Sequence, residues 1–398
     1  MLRLLESIKL YKDGHQPLYR FSLVIIFFTL ADGIVSFALP IFMEKTLVNL
    51  SLVGLIFGSS SVFGLITAFF LGSEQRGKTY KPYFFQTMVI AAVTFLLALK
   101  VNSWLGFLMV MALWGIYYET INFGIIDFLN RFTQKWEHSQ SSGVVQMFSS
   151  LGYLLGPIIA GYMILFNREA MKASLFFLSL AALAFIYWFG RKKEAPEPPK
   201  RKLTFKKELR IWFKVIKRGF WVLIGILLLT VFWESLIWSM GPIFLVSSLG
   251  EKAAYIMACF LIPKVFLQGY AGHWADKKGK KKILVLGLII AGFFTSLFGL
   301  NDSLIFKALM ALGSAVGASL AWPAGDGLFI DMIDGYKDEE EEVSGVRGIA
   351  HNLGYIVGPI TAGILANFLG MPKTFLIFGV SLISGAVLMN FFWKKNTF

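Results

Sequence analysis

Along the chain, long apolar runs alternate with short polar breaks. A helix needs about 20 apolar residues to cross the hydrocarbon core of a bilayer. Twelve runs come close to or exceed that length: Phe21–Met43, Ser51–Leu71, Tyr83–Leu99, Trp104–Asp127, Gly143–Phe166, Ala170–Gly190, Gly219–Val246, Ala253–Gly272, Ile283–Leu300, Leu304–Ile330, Gly345–Leu369 and Pro372–Trp393. No stretch alternates with the period of two that a membrane β-strand shows. The pattern predicts an all-α integral membrane protein with twelve transmembrane helices. One polar connection is long, Arg191 to Arg218. It opens in a Pro- and charge-rich stretch that reads as extended and solvated. It continues as the basic, aromatic-rich Leu203–Arg218, which fits either a helix on the membrane surface or a plain charged tether. The expected organisation is therefore a six-helix bundle over 1–190, a linker over 191–218 and a second six-helix bundle over 219–398.

The two halves are related. Gly152-Tyr153-Leu154-Leu155-Gly156-Pro157 returns as Gly354-Tyr355-Ile356-Val357-Gly358-Pro359, an offset of 202 residues in a chain of 398. At the same offset Asp32 falls on Glu234, Pro40-Ile41-Phe42 on Pro242-Ile243-Phe244, Gly115 on Gly317, and Glu74 on Asp276. Six crossings return the chain to its starting side, so the second half repeats the orientation of the first, as a parallel duplication does. Within the repeat, Pro157 and Pro359 remove a backbone donor and are expected to bend their helices. Gly152, Gly156 and Gly161 are expected to let another helix pack close, and Gly358-Pro359 repeats the Gly156-Pro157 kink element.

Composition agrees with a membrane protein and changes the meaning of the charge. Charged residues make up 16% of the chain, against about 25% in soluble globular chains, and the mean hydropathy is +0.66. The net charge of +14 could suggest nucleic acid, but the basic residues fall in the breaks between runs. With the N-terminus placed in the cytoplasm, 30 of the 38 Lys and Arg fall on cytoplasmic segments and 7 on the opposite side, with Lys264 inside a run. That asymmetry orients a membrane protein and predicts both termini inside the plasma (inner) membrane. No nucleic-acid partner is expected. The single cysteine, Cys259, excludes an internal disulfide framework. The polar segment Met1–Tyr19 precedes a full-length run and does not read as a cleaved leader.

Between the eighth and ninth runs stands Gly272-His273-Trp274-Ala275-Asp276-Lys277-Lys278-Gly279-Lys280-Lys281. It resembles the loop signature of the major facilitator superfamily, and with the duplication the resemblance extends over the whole chain. The resemblance implies a gate at the inner face formed by Gly272, Asp276 and Gly279. Glu74 and Gly77 hold the equivalent places in a degraded first-half copy, where Phe70 replaces the first glycine. The Gly156-Pro157 element resembles one found in that superfamily's drug/proton antiporters. Two departures stand out: Ala160 occupies a place often held by glycine, and the fourth run lacks the arginine those antiporters usually carry.

A charge at mid-bilayer costs about 2.5–3.5 kcal/mol or more, so each one calls for a role. Those so placed are Asp32, Glu119, Glu234 and Lys264. Asp32, Glu119 and Glu234 are candidate protonation or substrate-contact sites. Asn122 shares the helical face of Glu119. Lys264 could instead tie up Glu234 in a structural ion pair, and Asp32 could be bonded to hydroxyls and backbone across a helix contact. Tyr118, Trp233 and Trp238 are candidate cavity aromatics, and His351 and Asn352 a lesser polar pair. No metal cluster, phosphate loop or catalytic constellation is present in the sequence, so neither cofactor, metal nor enzyme activity is expected. The expected function is secondary transport of a small organic solute by alternating access, as proton-coupled export by a monomer. An importer of a sugar, organic acid or peptide is the alternative, and a non-transporting membrane sensor a third reading.

Overall fold

The computed structural model describes residues 16–74, 79–132, 138–163, 169–190, 221–333 and 340–392, and every regular element among them is a helix. In chain order these are α1 (Gln16–Leu47), α2 (Leu50–Glu74), α3 (Tyr80–Lys100), α4 (Trp104–Phe132), α5 (His138–Met163) and α6 (Glu169–Phe189). The second half follows with α7 (Trp221–Ser239), α8 (Gly241–Leu249), α9 (Ala253–Lys278), α10 (Lys280–Leu297), α11 (Leu304–Ile333), α12 (Glu340–Leu369) and α13 (Met371–Phe392). Ten helical stretches are long and apolar enough to cross a membrane, and Leu227–Ser239 is a shorter apolar helix. The remaining crossing is α10, whose 18 residues open with Lys280, Lys281 and Lys282. Gly77 and the 191–218 linker lie outside the described residues, and the side chain of Glu74 is likewise not described.

Each predicted run is helical, with three differences in detail. The seventh run breaks at Met240 into α7 and α8. Pro242 sits in the first turn of α8, where its missing N–H costs least. Its counterpart Pro40 lies inside an unbroken α1, so the halves match in sequence but not in chain path here. Lys307 is one of the seven basic residues assigned to the outer side, though it falls inside the predicted run Leu304–Ile330; it lies in α11 with its side chain fully buried. Its ammonium lies 3.9 Å from the Phe244 ring centroid and 3.1 Å from Asp302; a long apolar stem can be buried while the charged head finds a partner. The acidic run from Asp338 reads as a solvated loop, but Glu340, Glu341 and Glu342 belong to the first turn of α12.

Helices α1 to α6 pack among themselves, α1 lying on α5 and α6 and α4 on α2 and α3, while α7, α9, α10, α11, α12 and α13 form a second group. Aromatic rings fill both. Phe21 stacks on Phe128 with centroids 3.7 Å apart, with Tyr80 and Phe189 edge-on to Phe128; Phe244, Phe298 and Phe375 cluster in the second half. Lipid tails are as apolar as these side chains, so helices in a bilayer associate through close fit. That fit is tightest where glycines meet. A Cβ on Gly156 would lie 2.7 Å from the Gly33 carbonyl carbon, which locks α5 against α1. The two groups touch through α2 with α12 and α5 with α9. A Cβ on Gly54 would lie 3.0 Å from the Cα of Gly363, and the hydroxyls of Tyr162 and Tyr255 are 2.6 Å apart. Both contacts lie toward the end where α1 stops and α2 begins.

Candidate functional site

Asp32 sits midway along α1 and is 2% exposed. Its carboxylate accepts a hydrogen bond from the Tyr117 hydroxyl of α4 and another from Tyr153 of α5 at 2.7 Å. Of the alternatives open for Asp32, a carboxyl held by hydroxyls across a helix contact is the arrangement found, and that arrangement leaves a proton-carrying role possible. Tyr153 comes within reach because Gly152 and Gly156 bring α5 down onto α1 around Gly33.

The equivalent acid in the second half is partnered differently. Glu234 of α7 forms an ion pair with Lys264 of α9, and both side chains are 15% exposed. The Lys264 ammonium lies 5.5 Å from the Trp233 ring centroid and 5.7 Å from that of Trp322. The Tyr355 hydroxyl is turned toward Glu234, repeating the Tyr153–Asp32 relation at the 202-residue offset. Lys264 has no such counterpart: Val62 stands at that offset.

Glu119 of α4 joins the halves. It accepts a hydrogen bond from the Asn352 side-chain amide of α12 at 3.2 Å, and Asn352 also donates to Gly348 of its own helix at 3.1 Å. Asn122, one turn along α4, is half-buried, and the amide that reaches Glu119 comes from the other half. Tyr118 lies within electrostatic reach of Glu234, Asp32 and Glu119 and is 38% exposed. The fields of three acids, drawn from both halves, thus reach this one phenol. Trp238 is half-buried, its ring 5.8 Å from that of Tyr153.

Trp233 departs from its expected place on an open wall. It is 2% exposed, and its indole N–H donates to Ser314 at 2.7 Å and Thr295 at 3.2 Å. The ring is thus anchored by its edge and offers Lys264 its face. His351 lies 5.1 Å from Tyr355 and 6.1 Å from Trp322 by ring centroids. With Leu227, Thr230, Val231, Trp322 and Asp326 it lines a small, mostly apolar pocket. Among the described residues no group of His, Cys, Asp and Glu could hold a metal ion.

At the far end of α9 the loop signature makes a turn. Gly279 has φ +96°, a left-handed conformation that costs glycine little. Asp276 pairs with Lys280 at 3.6 Å, and Lys280 reaches Asp331 of α11 at 2.6 Å. Hydrogen bonding to Asp331 holds the Lys280 ammonium above the ordinary lysine range. The expected close approach at Gly272 is not found: a Cβ there would meet only the Pro323 Cβ, at 3.9 Å. Pro157 and Pro359 lie inside α5 and α12, which run on through them, and a Cβ on Gly358 would lie 2.9 Å from the Ser235 Cβ.

Sequence reasoning missed Tyr153, Tyr355 and the Glu119–Asn352 bridge. Both tyrosines stand inside the repeat, so their pairing with Asp32 and Glu234 could have been inferred from the common offset. The bridge joins residues 233 apart and left no local signal.

The family model described as Major Facilitator Superfamily matches residues 21–258 and 228–397. The chain belongs to the major facilitator superfamily. It is 27% identical over 147 residues to Multidrug resistance protein 2 of Bacillus subtilis (strain 168), covering 37% of this chain and 36% of that one. It is 25% identical over 118 residues to Quinolone resistance protein NorA of Staphylococcus aureus (strain Mu50 / ATCC 700699), covering 30% of each. The matched segments thus span about a third of those superfamily members' lengths. The crystal structure of the nucleoside transporter NupG superimposes with a TM-score of 0.76 at 13% identity, covering 96% of this chain and all of that one. At that identity the likeness is one of fold. As a superfamily member with these helices, the protein is an integral membrane protein.

Proposed function

We propose that the protein exports a small organic solute across the plasma membrane by alternating access, in exchange for protons. The observation that carries the reading is the set of three buried or half-buried acids, Asp32, Glu119 and Glu234, drawn from both halves around the accessible Tyr118. An acid in a bilayer is expensive, and three whose fields meet at one exposed phenol are economical only if they bind or release something. Residues 1–190 and 219–398 act as the two rocking bodies, with 191–218 as their strap and both termini in the cytoplasm. In that orientation the contacts at Gly54–Gly363 and Tyr162–Tyr255 close the outer side and the acids are reached from the cytoplasm. Asp276 and Gly279 serve the inner gate, and the carrier works as a monomer. Multidrug and quinolone resistance proteins among its relatives support export of an aromatic or amphipathic solute.

The test is solute flux in proteoliposomes under an imposed pH gradient. Asp32→Asn and Glu119→Gln are each expected to lower gradient-driven flux at least about ten-fold, a barrier increase near 1.4 kcal/mol, while solute exchange without a gradient persists. Unchanged gradient-driven flux in both variants would remove proton coupling through these acids.

A further inference from the structure

The two halves treat their matching acids unequally. Asp32 is held by two phenols, whereas Glu234 is held by a cation on a flexible stem, Lys264, between two indole faces. An ammonium within about 6 Å of an indole centroid is attracted by the ring's negative face. A carboxylate facing two aromatic planes forms a receptor for an organic ammonium group, and here the chain's own lysine fills it. The filling is local to this half, since Val62 occupies the corresponding place in the other. It is also not sealed, because both charged side chains keep 15% of their surface exposed. Trp233 is fixed by Ser314 and Thr295, so one wall of the receptor persists when the lysine leaves. Tyr355 and Tyr118 are the other titratable groups turned toward Glu234.

We propose that Lys264 is a tethered occupant of a cation site at Glu234, and that an organic ammonium solute takes its place between the faces of Trp233 and Trp322. The inference rests on the carrier reading above and names the charge class of its solute. With no solute bound, the lysine supplies the counter-charge, so that Glu234 is not left as a lone anion inside the protein. A lone buried charge is far costlier than a paired one. When the solute enters, its ammonium replaces that of Lys264, and the lysine head swings into the water of the cavity.

Calorimetric binding to the purified full chain tests this, with naphthylmethylammonium as the probe and the neutral naphthylmethanol as its control, in mildly alkaline buffer. Lys264→Met, which removes the competing cation and keeps the stem's bulk, is expected to tighten the ammonium at least about ten-fold and leave the alcohol unchanged. Glu234→Gln added to Lys264→Met is expected to erase the gain. Equal or weaker ammonium binding in Lys264→Met, an equal gain for the alcohol, or no binding of the ammonium to either protein overturns the proposal. Should Lys264→Met fail to fold, the native chain gives the answer by reductive methylation, read by mass spectrometry at Lys264. Saturating naphthylmethyl-trimethylammonium, a quaternary cation with no amine to consume the reagent, is expected to speed that reaction several-fold, and an unchanged or slower rate overturns the proposal. Binding is measured without flux, so a protein that binds as stated yet moves nothing refutes the carrier reading alone.

Discussion

Asp32 shows how a single side chain can be both anticipated and misjudged. Its place midway along an apolar run marks it as functional by cost alone. What stands around it could not be read locally, because Tyr117 is 85 residues away and Tyr153 is 121 residues away. Removing one donor from a buried acceptor costs about 1–3 kcal/mol. Tyr117→Phe is therefore expected to lower stability by about that amount, seen as a reduced midpoint of thermal unfolding in detergent. A variant as stable as the native chain would show that water replaces the phenol. Glu119 was legible for the same reason as Asp32. Asn352 was recognisable only as a polar residue in an apolar helix, because nothing in the sequence says that α12 crosses to meet α4. Trp233 was legible as an aromatic beside an acid. Its burial was not, because the hydroxyls that hold it, Ser314 and Thr295, are ordinary residues of other spans.

At the scale of elements, hydropathy located the helices well, because length and apolarity are what a bilayer demands of them. It overlooked the division of the seventh span. A run of apolar residues looks the same whether or not a proline interrupts its hydrogen bonds, and Pro40 and Pro242 carry the same Ile-Phe sequence after them. Helix pairing is written in the small residues instead. Gly156→Ala places a methyl group 2.7 Å from the Gly33 carbonyl carbon, where neither backbone can yield without parting α1 from α5. A loss of about 1–3 kcal/mol is expected. Gly143→Ala, on the same helix with nothing within 4 Å of the new Cβ, is expected to be neutral or to gain up to about 1 kcal/mol from helix propensity. Thermal unfolding of the two variants side by side checks the contrast. Similar losses in both would mean that the glycines matter for flexibility and not for fit.

Across the whole molecule, the duplication announced two similar halves, and the positions of Gly54, Gly363, Gly161 and Ala254 show where they meet. A Cβ built on Gly161 would lie 2.4 Å from that of Ala254, short of the roughly 3.5–4.5 Å a disulfide spans, so the two helices must part by about 1 Å to take the bridge. In a Cys259→Ser background, Gly161→Cys with Ala254→Cys is expected to cross-link under oxidant and stop transport, with recovery on reduction. A protease site engineered into 191–218 makes the link visible, since cut halves stay joined on a non-reducing gel. Cross-linked protein that still transports would mean that this end need not open. None of these meeting points could be assigned from sequence, because a glycine facing the other half looks like one facing its own.

The seventh span has a mechanical consequence. Helical hydrogen bonds run through Met240, from its N–H to Leu236 and from Phe244 to its carbonyl, and Pro242 removes one rung just beyond. Pro40 removes the matching rung of α1. Both spans can therefore bow at the same depth, and the passage widens on its two flanks together.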